Sequence, residues 1–598
     1  MSEYRAPLKD MRFVLEELIG LEQIARLPQC EEASPDVVAA ILEEGGKFAE
    51  EVLAPLNRVG DVHGAVWQDG EVKTAPGWKE AYTAFREAGW TALARSPEFG
   101  GQGLPKVVAT AVMELWKGSN LAFSLCPMLT QGAIEALMLC GSPEQKKMYL
   151  PKMVSGEWTG TMNLTEPQAG SDLSAVRTRA EPVGDGTYKL YGQKIFITYG
   201  EHDMAENIVH LVLARLPGAP EGVKGISLFV VPKFLVNADG SLGARNDVRC
   251  VSIEHKLGIH ASPTCVLSFG DHGGAVGTLV GEPNRGLEYM FIMMNEARFA
   301  VGLEGLALSE RAYQKALSYA KERIQGFEVG VKSGPRVPII RHPDVRRMLM
   351  LMKSQTEAMR ALAYTVGAAF DLAHHHPDES VRQRSRGFVE LMTPVVKGWC
   401  TENSVTIASL GVQVHGGMGF IEETGAAQHY RDARITPIYE GTTAIQSNDL
   451  IGRKIARNGG VIARGLIEEM RLAAEKLRAQ PGEDFGVLAR RLGAGIDALE
   501  KGVAYILETY GSNPKAAHAV SVPLLELFGI VCGGWQLGLS ALVAAKRLAE
   551  GGGDEAFYRA KIGTARFYAD HVLARAPALG MTVTEGAAGV LALDEEMF

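Results

Sequence analysis

The stretch Arg431-Asp432-Ala433-Arg434-Ile435-Thr436-Pro437-Ile438-Tyr439-Glu440-Gly441-Thr442-Thr443-Ala444-Ile445-Gln446 sets one carboxylate in irregular backbone. Pro437 and Gly441 break regular structure on either side of Glu440. Thr442 or Thr443 is placed to cap a helix beginning Ala444-Ile445-Gln446. Glu440 is therefore expected on a loop just before a helix N-terminus. From its position alone it is read as complementing the helix dipole. A second stretch, Met162-Asn163-Leu164-Thr165-Glu166-Pro167-Gln168-Ala169-Gly170-Ser171-Asp172, offers hydroxyls and backbone N–H groups to an acceptor-rich ligand, or simply builds a turn. A third, Lys194-Ile195-Phe196-Ile197-Thr198-Tyr199-Gly200, reads as a strand ending at glycine. Thr198 should share a side with Phe196, opposite Ile197. His374-His375-His376 cannot all face one ion on a helix, so a solvated helix end and no metal site are expected.

Four blocks must position these groups. Residues 1–160 repeat apolar groups at three- and four-residue spacing and read as helical. Within them Gly100-Gly101-Gln102-Gly103-Leu104-Pro105 reads as a tight turn, not a phosphate cradle. No strand precedes it and no Lys-Ser/Thr follows. Residues 161–283 hold short β-branched and aromatic runs at 188–191, 194–198, 208–213 and 226–231, the pattern of an all-β module. Residues 284–457 return to long helical periods, clearest at 304–321 and 342–374, which suit a bundle. Residues 458–598 form a further helical block. Its run 527–545 is long enough to cross a bilayer, but its glycines, Gln536 and the charges nearby read as a core helix. No integral membrane span is expected.

Composition narrows the class. The 598 residues are 46% hydrophobic and 22% charged, with 61 Lys and Arg against 70 Asp and Glu. That is globular composition, and its acidic balance argues against a general nucleic-acid binder. The seven cysteines, Cys30, Cys126, Cys140, Cys250, Cys265, Cys400 and Cys532, form no C-x-x-C pair, as in a reduced intracellular protein. The first ten residues lack the apolar core of a secretory signal. The ending Asp594-Glu595-Glu596-Met597-Phe598 is not a peroxisomal tail, so a cytoplasmic location is expected.

Together and in this order, the motifs resemble the flavin-dependent acyl-CoA dehydrogenases. The matching pieces are Thr165-Glu166-Pro167 with Ala169-Gly170-Ser171-Asp172, the Ile197-Thr198 strand end, Gln413-Val414-His415-Gly416-Gly417-Met418-Gly419-Phe420, and Ile438-Tyr439-Glu440-Gly441-Thr442. The resemblance implies a mainly α fold with a central β domain. It comprises an N-terminal helical domain (1–160), a β-barrel (161–283) and a C-terminal four-helix bundle (284–457), here with an additional helical domain (458–598). The extended N-terminus, the last block, Lys256-Leu257-Gly258-Ile259-His260-Ala261-Ser262-Pro263-Thr264 and Glu322-Arg323-Ile324-Gln325-Gly326 resemble a large bacterial subgroup. That subgroup includes 3-methylmercaptopropionyl-CoA dehydrogenases and broad fatty acyl-CoA dehydrogenases.

The resemblance implies removal of an α-proton and a β-hydride from an acyl-CoA, leaving a trans-2-enoyl-CoA. FAD takes the hydride, and an electron-transfer flavoprotein is the expected acceptor. Glu440 is the implied base, and its own N–H one of the donors to the thioester oxygen. Met162, Leu164, Thr165, Gly170, Ser171, Phe196, Thr198 and Thr442 are implied FAD contacts. Gly416 is an implied FAD contact too, and Arg323, Gln413 and Gly417 are implied to serve the FAD of a neighbouring subunit, hence a homo-oligomer, with a dimer expected. Ser171, Asn295, Arg298, Glu440 and Gly441 are implied substrate contacts. Arg298 is expected to stack on the CoA adenine, or else to pair with Glu296 or Glu304. Met290, Met293 and Met294 line either the core or a thioether pocket. The sequence departs from the family pattern at Phe196 for Trp, Asn295 for Asp and Ala444 for Gln. A DNA-protection protein of the same fold would need a basic last block, yet residues 460–598 carry 14 Lys and Arg against 17 Asp and Glu. An acyl-CoA oxidase would form peroxide without another acceptor. An Asp at position 440 would have indicated a nitroalkane oxidase. The acyl tail is left open.

Overall fold

The computed structural model describes residues 4–331, 333–551 and 553–598. The N-terminal part is helical. Ser34 caps the helix Pro35–Phe48 by accepting from the Val37 N–H, with Pro35 at a first-turn position where its missing donor costs nothing. Lys106–Ser119 and Leu121–Cys140 meet at Asn120, which caps the second helix by accepting from the Phe123 N–H at 3.1 Å. A short hairpin, Val66–Gln68 with Glu71–Lys73, interrupts the helices. Three-residue strands carry no period to read. Trp67 Nε1 donates to the Cys250 carbonyl at 2.9 Å, which ties the hairpin to the β domain.

In the β domain, Arg179–Pro182 pairs with both Thr187–Thr198 and Asn207–Arg215, and so closes the sheet into a barrel. The runs 188–191 and 194–198, read as separate strands, are one strand, Thr187–Thr198. Its first half belongs to the barrel and its second half pairs with Thr264–Phe269. The change of direction falls at Gly192, φ +152°, where a Cβ would collide with Thr178. The strand ends in a bulge. Cys265 faces Ile197 but Leu267 faces Lys194, so Ile195 and Phe196 share one opposite residue.

Gly286–Glu322, Pro343–His375 and Glu379–His415 are the long helices of the bundle. The fourth helix is not continuous. Ala426–Ala433 and Thr443–Asp449 stand in its place, with the Glu440 loop between them, and the second runs on as a π-helical turn, Leu450–Ile455. The interruption gives Glu440 an irregular backbone held at both ends by helices.

The last block is helical. Its apolar helix Ser521–Glu550 is a core helix, with 83% of its most apolar window buried; in Leu121–Cys140 the figure is 72%. Gly529 and Gly533 let Ser521–Glu550 lie directly on Trp399 of the bundle, and a Cβ on Gly529 would stand inside the indole. The N-terminal segment meets this block as well: Arg547 pairs with Glu17 at 2.9 Å, and Lys561 bridges Asp10 and Glu357. Arg360, 1% exposed, pairs with Asp10, with Glu114 at 2.6 Å and with Glu310 at 2.7 Å. One buried ionic network thus joins the N-terminal helices, the bundle and the last block. All seven cysteines are free, and all but Cys140 are buried.

Candidate active site

Glu440 takes φ +55°, the left-handed region, at a cost of about 1–2 kcal/mol for a residue with a Cβ. Gly441 follows at φ +88°. Side chains from two helices hold this conformation. Gln446 Nε2 donates to the carbonyls of Glu440 and Gly441, both at 3.1 Å. Lys397 Nζ, from Glu379–His415, donates to the Gly441 carbonyl at 2.7 Å. Of the two candidate caps, Thr442 is the one used: it accepts from the Ile445 N–H at 3.4 Å, and the helix begins at Thr443. Thr443 donates to Glu402 at 2.5 Å instead. The Glu440 N–H donates to no described residue and is left for another acceptor.

The electrostatics suit proton transfer. Glu440 keeps a small exposed surface, yet protein packs densely around it, and burial pushes its pKa up to about 7. Arg298 and Lys397 act against that rise, and Glu304 adds to it. Burial also pulls Lys397 down to about 8. Glu304 is fully buried, 3.1 Å from Lys117, and accepts from Tyr439. A carboxylate near neutral pKa, with one face open, can take a proton from a weak carbon acid at physiological pH.

The second and third motifs come together through a buried ion pair. Lys194 Nζ lies 2.8 Å from Glu166 and also donates to the Leu164 carbonyl at 3.1 Å. The Ile195 N–H donates to the Thr165 carbonyl at 2.9 Å. The turn bearing Thr165, Gly170 and Ser171 is therefore bolted to the strand end bearing Phe196 and Thr198. Met162, Thr165 and Thr198 are half-buried, Leu164 is buried, and Gly170 and Ser171 are exposed. The bulge turns Phe196 outward at φ +59°, 59% exposed. Thr198 shares its outward side and Ile197 points inward. The hydroxyls of Thr165, Ser171 and Thr198 have no hydrogen-bond partner among the described residues. An exposed aromatic ring beside unpaired hydroxyls fits a flat heteroaromatic cofactor with acceptor edges, as an isoalloxazine has.

Arg298 differs from its expected setting. It is 4% exposed, its ion pair is to Asp449 at 3.5 Å and not to Glu296 or Glu304, and its charge acts on Glu440. It is buried beside the base and does not present a surface for a stacked adenine. Glu296 pairs with Lys106. Asn295 lines a cavity of about 200 Å³ with Asp449 and Phe370. Met290 and Met293 are core residues. Met113 and Met128 line a cavity of about 50 Å³ with Trp90, Trp116, Gln131 and Lys117, and Arg95, Lys106 and Glu296 also reach its wall. The spacing of apolar residues on two different helices gave no sign of them. Lys397 was also missed, because it stands 44 residues before its partner carbonyl.

Arg323, Gln413, Gly416 and Gly417 are exposed. Tyr319 and His415 stack with centroids 4.4 Å apart, so the C-terminal ends of two long helices gather these residues on one surface. That end lies roughly 35–40 Å along the helix from Arg298.

Four family descriptions match the chain in succession: "Acyl-CoA dehydrogenase, N-terminal domain" over residues 38–157, the middle domain over 161–272, the C-terminal domain over 284–455, and "Acetyl-CoA dehydrogenase C-terminal like" over 466–594. The 3-methylmercaptopropionyl-CoA dehydrogenase of Ruegeria pomeroyi is 53% identical, over 97% of this chain and 98% of that one. The broad-specificity linear acyl-CoA dehydrogenase FadE5 of Mycobacterium tuberculosis is 37% identical over 96% of both chains. An acyl-CoA dehydrogenase of Bacillus anthracis, solved in complex with FAD, shares the fold with a TM-score of 0.74 at 22% identity, covering 98% of this chain and 94% of that one. With four successive family matches and a full-length relative at 53% identity, the chain belongs to the acyl-CoA dehydrogenase family of FAD-dependent oxidoreductases.

Proposed function

We propose that this enzyme acts on short acyl-CoA thioesters, with 3-methylmercaptopropionyl-CoA as the preferred substrate and methylthioacryloyl-CoA as the product. The observation that carries this reading is the cavity walled by Trp90, Trp116, Met113 and Met128. At about 50 Å³ it is a small cavity, which suits a methylthio end better than a long chain. Its thioether and aromatic walls favour contact with sulfur. Its wall residue Lys117 pairs with Glu304, which accepts from Tyr439 next to Glu440, so the cavity belongs to the same neighbourhood as the base. The name and full-length identity of the Ruegeria relative point the same way.

In this reading Glu440 removes the α-proton at its carboxylate, and its free N–H receives the thioester oxygen as negative charge develops there. Gln446 and Lys397 keep the loop in its left-handed turn, which leaves the carboxylate for the α-carbon and the N–H for the thioester oxygen. Bound FAD supplies the hydride acceptor, its N5. Thr165, Thr198 and Phe196 would hold the ring, with Gly170 and Ser171 on the exposed turn beside it, and Thr442 would serve the adenosine diphosphate. Ser171, Asn295 and Gly441 line the path of the CoA arm.

The exposed surface of Arg323, Gln413, Gly416 and Gly417 also carries Ile324, Met418 and Phe420, the last 86% exposed. So much apolar surface supports a second copy of the chain there, with those residues reaching the FAD of the partner. Electrons then leave to an electron-transfer flavoprotein in the cytoplasm. The test is dye-linked turnover of the yellow enzyme on 3-methylmercaptopropionyl-, butanoyl-, octanoyl-, palmitoyl- and phenylpropanoyl-CoA. The first two should give the highest kcat/KM. Preference for octanoyl- or palmitoyl-CoA would overturn the substrate assignment. Rapid peroxide formation without an acceptor would favour an oxidase.

A further inference from the structure

The charge that faces Glu440 is itself shared. Arg298, on the Gly286–Glu322 helix, acts on Glu440 through its charge without pairing with it, and its Nη1 lies 3.5 Å from Asp449 Oδ2. Asp449 closes the helix that starts just after Glu440, immediately before the π-helical turn Leu450–Ile455. Its side chain is 10% exposed, and its Oδ1 is buried without a hydrogen-bond partner. The nearest further cation is Arg453, 3.6 Å from Oδ1 and drawn over the Phe291 ring. A π-helical turn widens the helix locally and often marks a functional position. The Arg298 Nε is also buried without a partner, so the guanidinium is not locked in place by a full set of hydrogen bonds.

We propose that Asp449 is a positioning residue for the proton transfer: by pairing with Arg298 it keeps that guanidinium from closing on Glu440. The proposal rests on the reading of Glu440 as the base. The charged groups facing Glu440 are Arg298 and Glu304 from Gly286–Glu322 and Lys397 from Glu379–His415. Glu304 is already committed to Lys117 and Tyr439, and Lys397 to the Gly441 carbonyl. Arg298 is thus the one cation whose hold on Glu440 can be tuned without breaking the loop. Asp449 takes part of its charge and leaves Glu440 basic enough for the α-proton. With Asp449 neutral, Arg298 stabilises the Glu440 carboxylate alone and the base weakens.

The test is the pH profile of kcat/KM for the flavin-loaded enzyme and its D449N, D449S and D449E variants, with the best acyl-CoA from the panel. Both neutral variants should move the acid limb to lower pH by roughly half to one unit and lower the plateau rate, and D449E should restore the wild-type limb. Flavin absorbance per protein chain reports folding separately. If D449N purifies without flavin, D449S and D449E decide the question by the same limb. Neutral variants that slow the enzyme equally at every pH, with the limb unmoved, would overturn the proposal and leave Asp449 as scaffold. E440Q separates the two levels. An active E440Q removes the base and this proposal with it. An inactive E440Q with an unmoved D449N limb removes this proposal alone.

Discussion

Replacing Lys194 by methionine should strip the flavin platform of its bolt. The magnitude follows from the pair itself. Burial works to raise the Glu166 carboxyl, yet Lys194, Thr178 and the Arg177 N–H bring it down from 4.5 to about 2. At ~1.4 kcal/mol per pH unit this is about 3 kcal/mol of stability. The folded value lies below the unfolded one, so this stability is present above pH 4.5 and lost as pH falls towards 2. Burial pulls Lys194 from 10.5 to about 8 against the attraction of Glu166. For a cation the sign reverses: charged Lys194 costs about 3 kcal/mol below pH 8, and that cost is relieved as pH rises towards 10.5. Burial thus opposes both charges and their mutual attraction offsets much of that cost, as expected of a buried ion pair. Removing one member is different. K194M leaves Glu166, 4% exposed, as an unpaired buried charge, at about 3–5 kcal/mol. K194M/E166Q should recover at least half of that loss. Denaturant unfolding at neutral pH measures the cycle, and flavin absorbance of the purified proteins reads the platform. If the double variant is as unstable as the sum of the single ones, the pair is not coupled and the bolt is not what holds Thr165 against the strand.

The remaining predictions concern the base and the last block. E440Q should keep its flavin and lose turnover by roughly 10²–10⁴-fold in dye reduction. Because the Glu440 pKa is raised from 4.5 to about 7, its ionisation burdens the fold increasingly as pH rises from 4.5 to 7. E440Q should therefore unfold at a higher temperature than wild type at pH 8, and the advantage should vanish near pH 4. For the wild-type enzyme, kcat/KM should rise about tenfold per unit below pH 7 and level above it; a flat profile would count against proton transfer by Glu440. Gly529→Val should force Ser521–Glu550 off Trp399 and lower the unfolding temperature, since neither the indole nor the helix backbone has room to yield. An unchanged melting curve would mean that the last block does not dock there.

Much of this site could be read from residue types because it is local. The cap at Thr442, the loop at Glu440 and the alternation of Phe196, Ile197 and Thr198 need only neighbours in sequence. The core character of the helix containing Gly529 was equally readable, because its glycines suit close packing and not a lipid face. What could not be read is what distant segments impose. The bulge at Phe196 exists only because Cys265 and Leu267 are out of step with their partners. Arg298 found Asp449 instead of Glu296 or Glu304 because a broken fourth helix carries Asp449 to it. The two nearer carboxylates had been taken by Lys106 and Lys117. Lys397 and the tryptophan-lined cavity likewise depend on how whole helices cross.

The ion pair of Asp10 with Lys561 spans 551 positions of the chain. At synthesis rates of about 5–20 residues per second, the lysine emerges roughly half a minute to two minutes after the aspartate. Throughout that interval Arg360, once made, already has Asp10, Glu114 and Glu310, but Asp10 and Glu357 have no Lys561 to answer them. The opening segment, the first to be born, therefore completes its ion pairs only when the last helices arrive. A ribosome stalled short of the final helices should hold a nascent product whose start is still open to proteases.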